Sequence, residues 1–225
     1  EHDAAYRLLL KCCAREPNDR FATADELRTQ LLGVLREVVA AKTQGVATTA
    51  AASALFNPPT ATGDQFSWRQ LPRLRPDETD SQQAWLARIN IDDPAQRMVA
   101  LRSAPAQTPE VLLARAHTAL ELGDAGMLDQ AVQKLLTDDP WEWRAVWLAG
   151  LGALAGRDYA TAQSSFNAVY GQVPGELAPK LALAVACELG GAPELAETLY
   201  QVCASTDAHD VTPAAFGLAR VRAGR

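Results

Sequence analysis

Apolar residues between Asp3 and Val39 recur at helical rather than alternating spacing, and the recurrence breaks once, at Arg15-Glu16-Pro17-Asn18-Asp19. Pro17 disfavours helical geometry at Glu16 and has no amide to donate, so the pattern predicts two amphipathic helices with a turn between them. Thr23 caps the second helix, with Glu26 three residues on to reach back, and Leu27, Leu31, Val34, Leu35 and Val38 form its apolar stripe. From Lys42 to Thr62 the periodicity gives way to Ala, Thr and Pro, which predicts an extended linker. Phe56, Phe66, Trp68 and Leu71 are too apolar for a free tether, so parts of it are expected to lie against a neighbouring surface. Two short helices follow. One runs from about Asp80 to Ile89 with Trp85 and Leu86 facing in, and the other starts at Asp93-Pro94 and ends near Ser103.

From Thr108 onward the pattern is helical throughout. Thr108-Pro109, Asp139-Pro140 and Thr212-Pro213 are starts, and Gly123, Gly156 and Gly190-Gly191 are ends, which predicts helices near 109–122, 125–137, 140–155, 159–172, 176–189, 193–204 and 213–223. Within this stretch Gly150, Ala162 and Phe166 recur as Ala184, Ala196 and Tyr200, each displaced by 34 residues. That period, with small residues where two helices touch and a large apolar one between them, resembles the tetratricopeptide repeat, and Trp143 to Pro174 carries its fullest version. The first helical pair is expected to depart from the repeat, since Ala131 to Ala162 is only 31 residues. The last helix is expected to lack a partner within the chain. Repeats of this kind build a concave surface for another polypeptide rather than a reaction centre. The fold class is therefore all-α, a tetratricopeptide-repeat helical solenoid.

Composition narrows the function further. A net charge of −6 argues against nucleic acid, whose binding runs on Lys and Arg neutralising phosphates. Arg69, Arg73 and Arg75 make a local basic spot, but Asp77, Glu78 and Asp80 follow at once, as in a solvated linker. No apolar run approaches the length of a membrane span; Ala145 to Gly156 is apolar and uncharged but too short and too rich in glycine. Cys12, Cys13, Cys187 and Cys203 form no Cys-x-x-Cys pair and have no histidine at ligand spacing, which predicts structural thiols in a reducing, cytoplasmic compartment. Cys187 and Cys203 fall on inward helix faces. His2, His117 and His209 stand apart from any nucleophile or acid pattern, and Asp92-Asp93 and Asp138-Asp139 precede prolines and read as caps. No cofactor or metal is expected in this chain.

The first forty residues resemble the end of a eukaryotic-type protein kinase domain. Leu8-Leu9-Leu10-Lys11-Cys12-Cys13 followed by Arg15-Glu16-Pro17-Asn18-Asp19-Arg20-Phe21 is similar to the closing helices of the kinase C-lobe, with Glu16 where an aspartate is common. Joined to a repeat array by an Ala/Thr/Pro linker, this order of parts resembles the actinobacterial serine/threonine protein kinase G family. The likeness is close over Leu31 to Ala40, Pro174 to Ala184 and Ala214 to Arg220, and loose between Ala51 and Ala104. It implies residues 1–40 as a kinase C-lobe tail, 41–107 as a linker with two short helices, and 108–225 as the repeat array, truncated at its C-terminus. It also implies a cytoplasmic kinase using ATP and Mg in a separate core, acting on a forkhead-associated-domain regulator of glutamate and 2-oxoglutarate metabolism, with the array aiding dimerisation. The catalytic loops of a kinase do not occur here, so this stretch is expected to be inert as an enzyme. The alternative is a stand-alone adaptor whose groove holds a peptide motif.

The resemblance gives Arg20 the role of the arginine that pairs with the glutamate ending the activation segment; the rival reading is an exposed arginine holding a turn. For the groove, the inner face of the first helix in each repeat carries Arg144, Trp147, Leu151, Leu181, Val185 and Glu188, with Trp147 as anchor unless it packs between repeats. Trp141 and Trp143 read as cap and core. Partners expected are the kinase domain itself, a second copy and the forkhead-associated-domain protein. The two leading helices have little of their own lobe to bury against, which predicts weak hydrogen-exchange protection.

Overall fold

A computed structural model describes residues 2–43, 52–59, 67–208 and 210–224. Phe66, His209 and much of the Ala/Thr/Pro stretch lie outside the described residues. The rest is all-α: helices α1 (Asp3–Cys12), α2 (Ala24–Lys42), α3 (Gln83–Leu86), α4 (Pro94–Arg102), α5 (Pro109–Leu122), α6 (Ala125–Asp138), α7 (Trp143–Ala155), α8 (Tyr159–Gln172), α9 (Ala178–Leu189), α10 (Pro193–Thr206) and α11 (Val211–Ala223).

Each pair α5/α6, α7/α8 and α9/α10 is a hairpin, and consecutive hairpins stack, α6 on α7 and α8 on α9. This is the tetratricopeptide solenoid the period implied, with one continuous core running through it. Gly150 shows why the small residue matters: a Cβ there would come within 2.7 Å of the Phe166 ring. Ala162, Phe166, Ala184, Ala196 and Tyr200 are all completely buried.

The first hairpin obeys the same period, contrary to expectation. Helices α6, α8 and α10 begin at Ala125, Tyr159 and Pro193, and α5 and α7 at Pro109 and Trp143, all in steps of 34. The left-handed residues ending the first helices, Gly123, Arg157 and Gly191, keep that step as well. Ala131 is not the counterpart of Ala162; Leu128 is, and Val132 answers to Phe166, both buried. The register was hidden because this repeat fills the small-residue position with leucine.

Helix α11 is not alone either. It packs on α10 and α9, and Arg220 donates to Glu188 at 2.7 and 2.9 Å. Three helix starts move: α7 begins at Trp143 because Glu142, not Asp139, caps it, accepting from the Arg144 amide, α9 begins at Ala178 rather than 176, and α11 begins before Pro213. The Asp80–Ile89 helix shrinks to the single turn of α3, with Trp85 and Leu86 half-buried. By contrast α4 starts as expected, Asp93 accepting from the Gln96 amide at 3.0 Å, and it packs on α5.

At the N-terminus the turn Pro17–Asp19 separates α1 from α2, and Thr23 accepts from the Glu26 amide at 3.1 Å while the Glu26 carboxylate accepts from the Ala22 amide at 2.9 Å. Arg20 is exposed and donates to the carbonyls of Ala14 and Arg15. Both helices are attached to the solenoid, α1 on α8 and α2 on α10.

Candidate functional site

The inner faces of α5 and α7 do not meet solvent directly, because the linker lies across them. Residues 52–59 and 71–76 form two antiparallel legs of a strap, bridged at Phe56 and Leu74, with the Asn57 amide donating to the Arg73 carbonyl at 2.8 Å and the Arg75 amide to that of Leu55 at 2.9 Å. Ser53 Oγ accepts from the Leu55 and Phe56 amides, both at 3.0 Å, which turns the chain so that Phe56 enters the array. Phe56 meets Trp147 edge-on with ring centroids 5.0 Å apart and Trp143 at 5.6 Å, and Trp147 in turn meets Phe166 at 5.2 Å. Such tilted aromatic pairs add about 0.5–1.5 kcal/mol each beyond their burial. Phe56 and Leu71 are buried, so those linker residues do lie against a neighbouring surface.

This arrangement changes the standing of the expected groove residues. Trp147, Leu151, Leu181 and Val185 are buried core residues, and Phe56 of the strap lies against Trp147. Arg144 is held by Glu142, at 2.6 and 2.8 Å, and by Glu110. Burial raises the pKa of Glu110, and Arg144 opposes that rise. Glu188 accepts from Arg220 and, at 2.6 Å, from the Tyr200 hydroxyl, so it ties three helices together. Helical spacing carried no information on what would cover these residues. Trp143 is half-buried beside Phe56, and Trp141, largely exposed, donates its indole N–H to Asp19 at 2.9 Å. Cys187 and Cys203 are buried, and burial raises both thiol pKa values.

A second junction, unforeseen from the sequence, joins α2 to the loop before α9. Gly33 and Gly175 let two backbones touch: a Cβ on Gly33 would fall 2.1 Å from the Gly175 carbonyl oxygen. The Gly175 amide donates to Gln30 Oε1 at 2.8 Å. Beside it the fully buried Lys180 donates to Glu37 at 2.7 Å and to the Pro174 carbonyl at 2.9 Å. Further along, Lys11 donates to Gln172 and Arg7 to Asn167, with Arg7 also over the Tyr170 ring. The signals were present as anomalies, a glycine inside a helix and a lysine inside the apolar run Leu177 to Cys187.

A family model described as the protein kinase G tetratricopeptide repeat matches residues 70–225. The chain belongs to that family. It is 32% identical to the serine/threonine-protein kinase PknG of Mycolicibacterium smegmatis over 98% of this chain, and 32% identical to the one of Mycobacterium leprae over 97%. It spans about a third of the length of each, 33%. The family match begins at residue 70, so the second leg of the strap and helices α3 and α4 belong to it along with the repeats. Among the described residues no helix is long and apolar enough to cross a membrane, and no cluster of His, Cys, Asp or Glu is arranged to hold a metal.

Proposed function

We propose that this chain is the regulatory tetratricopeptide-repeat region of a cytoplasmic serine/threonine protein kinase, whose repeats clamp the last helices of the catalytic lobe and the linker into one body. The observation that carries the reading is the junction at Gly33, Gly175, Lys180 and Glu37, since a buried lysine and a backbone-to-backbone contact fix α2 against the repeats with little freedom. The opposite face of α1 and α2 supports it. Tyr6, Leu9, Leu31 and Leu35 are each at least half exposed, an apolar surface suited to packing on the core such a kinase carries. ATP and Mg belong to that core. Control of glutamate and 2-oxoglutarate metabolism through a forkhead-associated-domain substrate, and self-association of the array, follow the family resemblance.

In this reading Arg144, Trp147 and their neighbours serve protein docking only if the strap leaves, because Phe56 holds their face. The decisive experiment places Gly175→Leu in the kinase that carries this region. The side chain has no room beside Gln30, so exchange of α2 amides should rise at least about tenfold while α7 and α8 stay protected, and phosphorylation of the forkhead-associated-domain substrate should change with it. A loosened α2 with unaltered phosphorylation would remove the regulatory role.

A further inference from the structure

Between the strap and the solenoid lies a cleft of about 370 Å³ that Phe56 does not fill, within the size range of small-molecule sites. Its walls are apolar and come from three directions: Leu74 of the strap, Leu86 of α3, and Leu113 and Leu151 of α5 and α7. Trp147 lines it as well. The indole N–H of Trp147 is buried and meets no acceptor among the described residues, a vacancy that costs free energy in an apolar setting.

The charged lining is mostly cationic. Arg69, Arg73 and Arg75 all border the cleft, in a chain whose net charge is −6. Arg75 Nε is engaged by the Phe56 carbonyl at 3.2 Å, and Arg69 lies over the Trp68 ring, 4.5 Å from its centroid. Among the described residues no carboxylate pairs with Arg69 or Arg73. The one acid on the lining, Glu110, is taken by Arg144. His117 records the same field: burial lowers its pKa, Glu121 opposes, and Arg73, Arg97 and Arg69 add to the lowering.

We infer that this cleft is a binding site for a small organic anion with an apolar body, an aryl- or branched-alkyl carboxylate, whose hydrocarbon part sits between Leu74, Leu113 and Leu151 and whose carboxylate faces Arg73. The carboxylate supplies acceptors where the site has donors, and charge-assisted bonds to a guanidinium are about twice as strong as neutral ones. Because the strap forms one wall and the repeats the other, such a ligand holds the two together. The site does not depend on the regulatory role proposed above.

The probes are 4-phenylbutyrate and its uncharged, nearly isosteric amide, titrated into the ¹⁵N-labelled chain while the Trp147 indole N–H resonance is followed. The acid should shift that resonance with a Kd at or below about 1 mM, as expected for a ligand of this size, and should bind at least about tenfold tighter than the amide. Arg73→Gln, an exposed change that leaves the fold alone, should erase the difference between acid and amide. Ala114→Leu, which adds bulk to the α5 wall, should weaken both. An unmoved Trp147 resonance, equal affinity for acid and amide, or an acid preference that survives Arg73→Gln would each overturn the assignment.

Discussion

Arg157 carries the repeat's geometry at the wrong residue type. It sits at φ 63° where the neighbouring repeats have Gly123 at 71° and Gly191 at 80°, so the turn after each first helix demands a left-handed residue whatever the side chain. A non-glycine residue there costs about 1–2 kcal/mol through contact of its Cβ with the backbone. Its side chain is exposed, so little packing offsets that cost. Arg157→Gly should therefore raise stability by about 1 kcal/mol, less the entropy that glycine adds to the unfolded chain, and read out as a higher urea midpoint at unchanged slope. A lower midpoint would mean that Arg157 makes contacts the strain argument leaves out.

Among the elements, the strap is what distinguishes this array from an open groove. Phe56 is its anchor, and Phe56→Ala deletes a buried ring with two aromatic neighbours at a cost of about 3 kcal/mol, the lower end for such truncations because the strap can relax. Limited proteolysis should then cut between residues 52 and 76 well before the repeats, whereas equal resistance in both forms would show the strap is held mainly elsewhere. The strap also marks the limit of what the chain's pattern discloses. Helices α5 to α11 were legible because each has a 3.6-residue stripe and most have a local cap or terminator, and the linker's need for cover was legible from Phe56 and Leu71. That the cover would be α7 itself was not, since contact between residues 56 and 147 leaves no trace in local spacing. The same holds for Lys180, whose burial beside Glu37 depends on a helix more than a hundred residues earlier. Counting Ala131 against Ala162 failed for a narrower reason, a leucine occupying a position where the repeat usually keeps a small residue.

At the scale of the whole molecule, α2, the strap and the repeats converge at Glu176. It is buried on the cleft lined by Gly33 and Arg36 of α2, Ser53 of the strap and Asp207 and Asp210 between α10 and α11. Ala4, Leu8 and Val34 of the leading helices are buried as well, with α1 packed on α8 and α2 on α10. Burial raises the pKa of Glu176 above the ordinary carboxylic value, with Ser53, Arg36, Lys180 and Gln30 pulling it back. A carboxyl whose pKa is raised on folding binds its proton more tightly in the native state. Its favourable contribution is complete below the unfolded value of about 4.3 and is lost as pH rises through the native one. Glu176→Gln removes that loss while keeping the shape. The variant should consequently be more stable than the parent chain near pH 7, with the advantage shrinking to nothing as pH falls towards about 4.3, read as the difference in denaturant midpoints at each pH. Since the carboxyl touches all three parts, the gain should appear together in α2, strap and repeat amides by hydrogen exchange. An advantage independent of pH, or confined to α9, would show that the three parts do not share this group's titration.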